Sequence, residues 1–164
     1  MLNKHFNTCK LLSCRNLHFS DKIAIFNKIS MSSSQPHLIH FPRLGEPGIG
    51  FISVNEGLKL VPFEVKRIFW TYYTPDSIVR GRHAHHETEM VLVAAAGRIL
   101  VTTEMPGGKV DTFVLEKPEV GLFLPRYCWH TMQYSHSAVQ LVLASTGYDE
   151  KDYIRDYEAF KKLK

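Results

Sequence analysis

Cysteine is scarce in this chain of 164 residues, with Cys9, Cys14 and Cys128 as its three thiols. Three scattered cysteines exclude a disulfide framework and a zinc site built from thiolates, so the sequence is typical of a reducing compartment. The chain also lacks an apolar run close to the roughly 20 residues that a membrane-spanning helix needs. We therefore expect a cytoplasmic protein with no membrane segment.

An excess of charge is likewise missing from most of the chain. The whole sequence carries 20 Lys and Arg against 16 Asp and Glu, a net charge of +4. Residues 1–30 hold five of the bases and a single acid, Asp21, so the remainder is neutral. A neutral domain gives no electrostatic argument for binding nucleic acid, and we expect none.

The first 35 residues form a basic segment that we expect to be flexible. It mixes Lys, Asn and Ser with scattered apolar residues and ends in Met31-Ser-Ser-Ser-Gln-Pro36. A secretory signal is excluded because Leu11-Leu12 is followed at once by Ser13-Cys14-Arg15. Three interpretations stay open: a transit peptide, which would place the protein in mitochondria, a disordered tail, or translation that begins at Met31.

From Leu38 onward, short β-favouring segments alternate with turn residues. The turn Met105-Pro-Gly-Gly108 joins two such segments as a hairpin. The pattern predicts strands at Phe51–Val54, Val65–Tyr73, Glu89–Ala96, Arg98–Glu104, Val110–Leu115, Gly121–Leu124 and Ala138–Ala144. We therefore expect one all-β domain over residues 36–164, an antiparallel sandwich or barrel.

Helical periodicity is confined to the C-terminal end. Over Asp149–Leu163 the apolar residues follow a helical spacing, at Tyr153, Ile154, Tyr157 and Phe160. This spacing predicts a C-terminal α-helix in which the aromatic residues pack and take no part in chemistry.

The densest polar cluster is Arg80-Gly-Arg-His83-Ala-His85-His86, at the entry to a strand. In a strand His83 and His85 point to one face, and Glu89 shares their parity if no bulge intervenes. His130 follows a later turn, Gly121-Leu-Phe-Leu-Pro125. The two segments resemble the two sequence motifs of the cupin superfamily. That resemblance implies a jelly-roll β-barrel with the active site inside.

Two kinds of chemistry suit these histidines. In a metal-dependent cupin, a divalent metal would be held by His83, His85, Glu89 and His130. In a metal-free cupin the same histidines would transfer protons, because the pKa of imidazole is close to neutral. The remaining interpretation is a polar strand with exposed histidines.

A narrower resemblance rests on the histidine motif, on Trp129-His130 and on the C-terminal block Tyr148-Asp-Glu-Lys-Asp-Tyr-Ile-Arg155-Asp-Tyr. These segments resemble the sugar nucleotide 3,4-ketoisomerases, also called WxcM-like proteins, from about Leu38 to Phe160. The family implies a homodimer without metal or cofactor. It also implies a reaction on dTDP-4-keto-6-deoxyglucose, in which the keto group moves from carbon 4 to carbon 3 through an enediol. His86 and Met90 depart from the Lys and Gln that are common in the family.

The resemblance also implies roles for individual residues. His83 is expected to be the base and His85 its partner, with Tyr72 and His130 as candidate donors to the oxyanion. The arginines expected to bind the diphosphate are Arg67, Arg80 and Arg82. Trp129 or Tyr127 is expected to contact the nucleobase. Two alternatives remain, the metal-dependent cupin and a cupin that binds a sugar nucleotide without turning it over.

Overall fold

The computed structural model describes residues 34–163, which form two five-stranded antiparallel sheets and a separate hairpin. In spatial order the first sheet consists of β1 (His37–His40), β9 (Val120–Leu124), β6 (Met90–Ala96), β11 (Val139–Ala144) and β4 (Arg67–Thr71). The second consists of β12 (Tyr153–Ile154), β5 (Val79–His85), β10 (Trp129–Tyr134), β7 (Ile99–Glu104) and β8 (Val110–Leu115). The hairpin is formed by β2 (Arg43–Glu46) and β3 (Gly50–Ser53). This crossed strand order is that of a jelly roll, so the all-β prediction is confirmed.

The strand β6 shows how the two layers are packed. Met90 and Leu92 belong to the core between the sheets, whereas Val91 and Val93 pack on the opposite face against the segment that includes Val61. Because both faces of β6 are buried, its sequence is apolar throughout instead of alternating with polar residues. The first sheet is therefore covered on both sides at β6.

The predicted strands are confirmed to within two residues at each end. The turn at Met105–Gly108 is also present, since the Gly108 amide donates to the Met105 carbonyl at 3.0 Å and both glycines have positive φ. Sequence reasoning missed β1, β2, β10 and β12. Their short lengths and mixed composition hide them from a pattern based on apolar runs.

The predicted C-terminal α-helix is present, but it is shorter than the helical spacing over Asp149–Leu163 indicated. The segment forms a 3₁₀ turn at Glu150–Asp152, then β12, and then a helix, α1, of five residues at Tyr157–Lys161. β12 pairs with the end of β5, which satisfies backbone groups that a sheet edge would otherwise leave unpaired. The helix begins only after Asp156, whose side chain accepts hydrogen bonds from the amides of Glu158 and Ala159.

The short helix α1 covers the outer face of the second sheet. The Trp129 ring lies 5.0 Å from that of Tyr157 and 5.4 Å from that of Phe160, and Phe160 also packs with Ala84 and Ile154. The packing roles predicted for Tyr157 and Phe160 are therefore confirmed. Among residues 34–163 no helix is long and apolar enough to span a membrane. The predictions for the basic segment at residues 1–35 fall almost entirely outside the described residues.

Candidate active site

A β-bulge in β5 lies at the entrance to the histidine motif. His83 is paired with His130 of β10, but the next pair joins Gly81 to Thr131, so that Arg82 has no partner residue. Gly81 and Arg82 both have positive φ, at 85° and 59°. A Cβ atom on Gly81 would lie 2.6 Å from the backbone oxygen of His130. Glycine is therefore required at this position for both its conformation and its close approach.

The bulge decides which side chains of β5 share a face. Strict alternation would place Arg80 opposite to His83, because they are three residues apart. With Arg82 extruded, Arg80 pairs with Met132, and Arg80, Met132 and His83 all line the same cavity. One extra residue thus adds an arginine to the face that carries the histidines.

The cavity lies between the two sheets and has a volume of about 290 Å³. Its lining combines an apolar wall from the first sheet with polar groups from the second sheet and the C-terminal segment. The lining residues are Phe69, Thr71, Arg80, Gly81, His83, His85, Met90, Leu92, His130, Met132, Tyr134, Gln140, Val142, Tyr153 and Arg155. A concave site in which polar groups converge beside an apolar wall is typical of small-molecule binding.

Three histidines converge in this cavity. The His83 ring centroid lies 5.0 Å from that of His85 and 4.5 Å from that of His130. Burial, together with the neighbouring His83, lowers the pKa of His85 to about 4 and that of His130 to about 3. Burial also lowers the pKa of His83. All three rings are therefore neutral near pH 7, the state in which an imidazole can accept a proton.

His85 is oriented by a carboxylate from the 3₁₀ turn. Its Nδ1 lies 3.0 Å from Oδ2 of Asp152, and this carboxylate also accepts hydrogen bonds from the Thr88 hydroxyl and, at 2.6 Å, the Glu87 amide. Burial raises the pKa of Asp152, but these hydrogen bonds outweigh burial and hold the pKa below its usual value. Because an ionised carboxylate only accepts, Nδ1 of His85 carries the hydrogen and Nε2 is left as a proton acceptor.

The tautomer of His130 follows from its backbone contact. Its Nδ1 lies 3.0 Å from the carbonyl oxygen of Cys128, which can only accept a hydrogen bond. The hydrogen of the neutral ring is therefore on Nδ1, and Nε2 is an acceptor. In this state His130 can bind a sugar hydroxyl but cannot donate to an oxyanion.

His83 differs from the other two histidines in its polar contacts. Its Nδ1 is buried and makes no hydrogen bond of acceptable geometry to residues 34–163. A buried polar atom without a partner costs free energy unless a ligand or water satisfies it. His83 is thus the one of these three rings whose Nδ1 is not fixed by a hydrogen bond to the described residues.

A buried polar pair lies at the other end of the cavity. The Tyr134 hydroxyl donates to Oε1 of Gln140 at 2.7 Å, and Nε2 of Gln140 donates to the Met132 sulfur at 3.1 Å. Burial raises the pKa of Tyr134 to about 12, so its hydroxyl stays protonated. Sulfur is a weak acceptor, which leaves the Gln140 amide with capacity for a stronger partner.

The C-terminal segment supplies the cavity rim near His85. The Tyr153 ring lies 4.4 Å from the His85 ring and 5.0 Å from the His83 ring. The Arg155 guanidinium lies 4.4 Å from the Tyr153 ring centroid. Glu150 accepts hydrogen bonds from Arg155 at 2.8 and 3.2 Å.

Comparison with known protein families identifies the group to which this arrangement belongs. The family model FdtA, described as WxcM-like, C-terminal, matches residues 34–164. The chain belongs to this family. The match includes the whole of the cavity described above.

Individual relatives agree with that assignment. The chain is 36% identical over 126 residues to a TDP-4-oxo-6-deoxy-alpha-D-glucose-3,4-oxoisomerase from Aneurinibacillus thermoaerophilus, covering 76% of this chain and 89% of the relative. A crystal structure of a 3,4-ketoisomerase from Helicobacter canadensis is 36% identical, with a TM-score of 0.74 over 78% of this chain and 96% of the other. QdtA, a sugar 3,4-ketoisomerase from Thermoanaerobacterium thermosaccharolyticum solved with TDP, is 30% identical. Its TM-score is 0.74 over 80% of this chain and 94% of the other.

The cavity of this FdtA-family chain contains four of the expected site residues, Arg80, His83, His85 and His130. His86 is exposed on the other side of the strand, as the alternation of side chains predicts. Met90, one of the departures from the family pattern, also lines the cavity, and its side chain adds an apolar surface beside the histidines.

Other expected site residues lie elsewhere in this FdtA-family chain. Tyr72 is 54% exposed, and its ring packs against Tyr73 beyond the end of β4. Arg82 and Trp129 line a separate groove on the outer face of the second sheet, together with Tyr157. Arg67 lies beside the cavity rim, with its guanidinium 5.7 Å from the Tyr148 ring and its buried Nε without a partner among the described residues.

The alternative metal site is not assembled by the described residues. Glu89 is buried but does not line the cavity, and its amide bonds to the Ser145 hydroxyl. Within residues 34–163 no group of three or more His, Cys, Asp and Glu side chains is arranged to hold a metal ion. The donor set therefore does not fit the four-ligand site that the sequence allowed.

Sequence reasoning missed Tyr134, Gln140, Asp152, Tyr153 and Arg155. The last three lie in the C-terminal block that carried the family resemblance but was assigned to a helix. A usable signal was present, because Tyr153 and Arg155 flank the apolar Ile154 with the alternation of a strand. Tyr134 and Gln140 gave no such signal, since their contact joins two different sheets.

Proposed function

We propose that this protein is an isomerase that moves the keto group of a dTDP-linked 4-keto-6-deoxyhexose from carbon 4 to carbon 3. The observation that carries the proposal is the cluster of three neutral histidines around one cavity, in a chain of a family with 3,4-ketoisomerase relatives. The carbonyl at carbon 4 acidifies the proton on carbon 3. A base removes that proton to give an enediolate, and the oxygen on carbon 4 takes up a proton to form the enediol. Loss of the hydroxyl proton on carbon 3 and transfer of a proton from the protonated base to carbon 4 then leave the ketone at carbon 3.

In this mechanism His83 is the base. It is at the centre of the cluster, and its buried Nδ1 has no protein partner of acceptable geometry among the described residues. His85, held by Asp152, presents Nε2 as a second acceptor that can take the hydroxyl proton of the enediol. The depressed pKa of His83 keeps the base unprotonated at neutral pH.

The oxyanion formed at carbon 4 needs a hydrogen-bond donor. We assign this role to Tyr153, because its ring lies beside both His83 and His85 and it lines the cavity. Tyr72 lies outside the cavity lining, and the neutral tautomer of His130 has no hydrogen on Nε2. Preorganised donors of this kind stabilise charge that develops in the transition state.

The test is isotope exchange in heavy water, with dTDP-4-keto-6-deoxyglucose as substrate and proton NMR as readout. Wild-type protein dialysed against a chelator is expected to incorporate deuterium, whereas His83→Asn is expected to lose at least a hundredfold in rate. Exchange that appears only after iron, manganese or zinc is added would instead support a metal-dependent enzyme. Binding of dTDP with no exchange under any condition would support a binding protein.

We also propose that the protein is a homodimer. The outer edge strand β4 exposes Ile68 and Trp70 at 55% and 62%, and the β2–β3 hairpin exposes Leu44 and Ile52. Exposed apolar side chains on a sheet edge favour pairing with another chain. The solution mass, measured by light scattering, is expected to correspond to two chains, and a mass of one chain would contradict the proposal.

A further inference from the structure

Glu150 is held at the cavity rim by two donors that bind carboxylates and phosphates in the same way. Nε of Arg155 lies 2.8 Å from Oε1, Nη2 of Arg155 lies 3.2 Å from Oε2, and the Tyr148 hydroxyl donates to Oε2 at 2.6 Å. A planar guanidinium fork of this kind is the usual partner of both carboxylate and phosphate groups. The donors Arg155 and Tyr148, which we call the rim pair, therefore form a receptor for one oxyanion.

The rim pair is adjacent to the reacting histidines. The Arg155 guanidinium stacks 4.4 Å from the Tyr153 ring centroid, and the Tyr153 ring lies 4.4 Å from that of His85. Arg155 also lines the cavity itself. An anion on the rim pair would thus lie at the edge of the cavity that holds the histidines.

The size of the cavity places the phosphates of a nucleotide sugar outside it. Its volume of about 290 Å³ lies at the lower limit for small-molecule sites, so it is large enough for a sugar ring but small for a whole nucleotide sugar. Among the described lining residues Arg80 and Arg155 carry positive charge, and none is acidic. When the sugar carbons reach His83, the diphosphate extends to a rim that carries arginine.

We propose that the rim pair binds the diphosphate of the nucleotide sugar and that Glu150 competes with this diphosphate for the same donors. The inference rests on the proposed function, since it names a nucleoside diphosphate as the ligand. Glu150 has a side chain that is 58% exposed, so it can rotate into solvent when a phosphate replaces it. Its carboxylate thus sets the affinity of the rim pair for anions.

The position of Glu150 links this competition to the histidines. Glu150 and Asp152 lie in the same 3₁₀ turn, and Asp152 is the residue that holds His85. Displacement of Glu150 by phosphate therefore acts on the turn that orients a histidine of the site. Competition from Glu150 lowers the affinity of the rim pair for every anion by the same factor, so only a strongly binding anion such as a diphosphate occupies it.

The test measures the dissociation constants of dTDP and of thymidine by calorimetry for three variants. Arg155→Ala is expected to weaken dTDP binding roughly tenfold to a hundredfold, because it removes charge-assisted hydrogen bonds. Glu150→Gln is expected to tighten dTDP binding about two- to fivefold, the range for an exposed ion pair. Thymidine, which lacks phosphate, is expected to bind all variants equally. Glu158→Gln is the matched control, since Glu158 pairs at 2.7 Å with Lys161, which lies over the Tyr157 ring, away from the cavity.

Three results would overturn the proposal. The first is an Arg155→Ala variant that binds dTDP with wild-type affinity. If Arg80→Ala binds dTDP more weakly, the phosphates lie on Arg80 instead of the rim pair. The second is weaker dTDP binding by Glu150→Gln, which would make Glu150 a support for Arg155. The third is an equal change in dTDP affinity in Glu150→Gln and in the control Glu158→Gln. Failure of the proposed isomerase activity is separate, because it would appear as absent isotope exchange in wild-type protein that still binds dTDP.

Discussion

Nδ1 of His85 lies 3.0 Å from Oδ2 of Asp152, and this contact joins the strand that carries the histidine motif to the turn before β12. The two residues are 67 positions apart in the sequence. The hydrogen bond fixes the tautomer of His85 and the orientation of its ring towards the cavity. Asp152 acts on substrate only through His85, so it is a positioning residue.

Replacement of Asp152 by asparagine is expected to lower kcat about a hundredfold with little change in KM. The amide can donate to Nδ1 and thereby favour the wrong tautomer of His85. Steady-state kinetics and a pH–rate profile check this result. Asp111→Asn serves as the control, because Asp111 pairs with exposed Lys109 away from the cavity. A folded Asp152→Asn variant with wild-type kcat would refute the positioning role.

Removal of the Tyr153 hydroxyl is expected to lower kcat about a hundredfold, because the oxyanion loses its donor while the aromatic ring keeps its contacts with His83 and His85. The measurement is the rate of the Tyr153→Phe variant on the keto sugar. Tyr72→Phe tests the tyrosine that the sequence analysis expected to be the donor. Tyr73→Phe is the control, because Tyr73 is 87% exposed. A larger loss in Tyr72→Phe than in Tyr153→Phe would reverse the assignment.

Substitution of Gly81 by alanine is expected to destabilise the fold and reduce activity together. The residue has φ of 85°, and the new Cβ would lie 2.6 Å from the His130 oxygen. Gly107→Ala is the matched control, since Gly107 has φ of 98° but no atom within 4 Å of the added Cβ. In urea denaturation, Gly81→Ala should lower the free energy of unfolding by about 1–2 kcal/mol more than Gly107→Ala does. Equal losses would mean that the close approach to β10 is unimportant.

Stability is expected to fall as the pH decreases from 7 to 5. The unfolded chain binds protons at histidine near pH 6.5, whereas folding lowers the pKa of His85 to about 4 and of His130 to about 3. Between these values the unfolded state binds more protons, so each of the two histidines costs roughly 2 kcal/mol at pH 5. The free energy of unfolding, measured by urea titration at both pH values, checks this.

A pair of variants assigns that pH dependence to individual residues. His130→Gln should reduce the change in stability between pH 7 and pH 5 by about half. His136→Asn, at a residue whose side chain is 93% exposed, should leave the change as in the wild type. An unchanged pH dependence in His130→Gln would show that burial of this histidine does not control acid stability.

Local sequence patterns predicted much of the fold because they report on single strands and turns. Alternation in Val110–Leu115 and the Gly-rich turn before it are such patterns, and both are present. The apolar run at Met90–Ala96 was also identified correctly, since both of its faces are buried. The C-terminal helix was predicted correctly but too long, because Tyr153 and Ile154 pair with β5 and form a strand before the helix begins.

The sequence by itself determined that His83 and His85 share one face of a strand and that a third histidine follows a turn, because these are matters of local geometry. Only the tertiary structure decided that Arg80 joins them, since the bulge at Arg82 arises from pairing with β10. It also decided that Tyr153, and not Tyr72, lies beside the histidines. Both outcomes depend on backbone hydrogen bonds between segments far apart in the chain, and the free energy of such pairing is invisible to any local pattern.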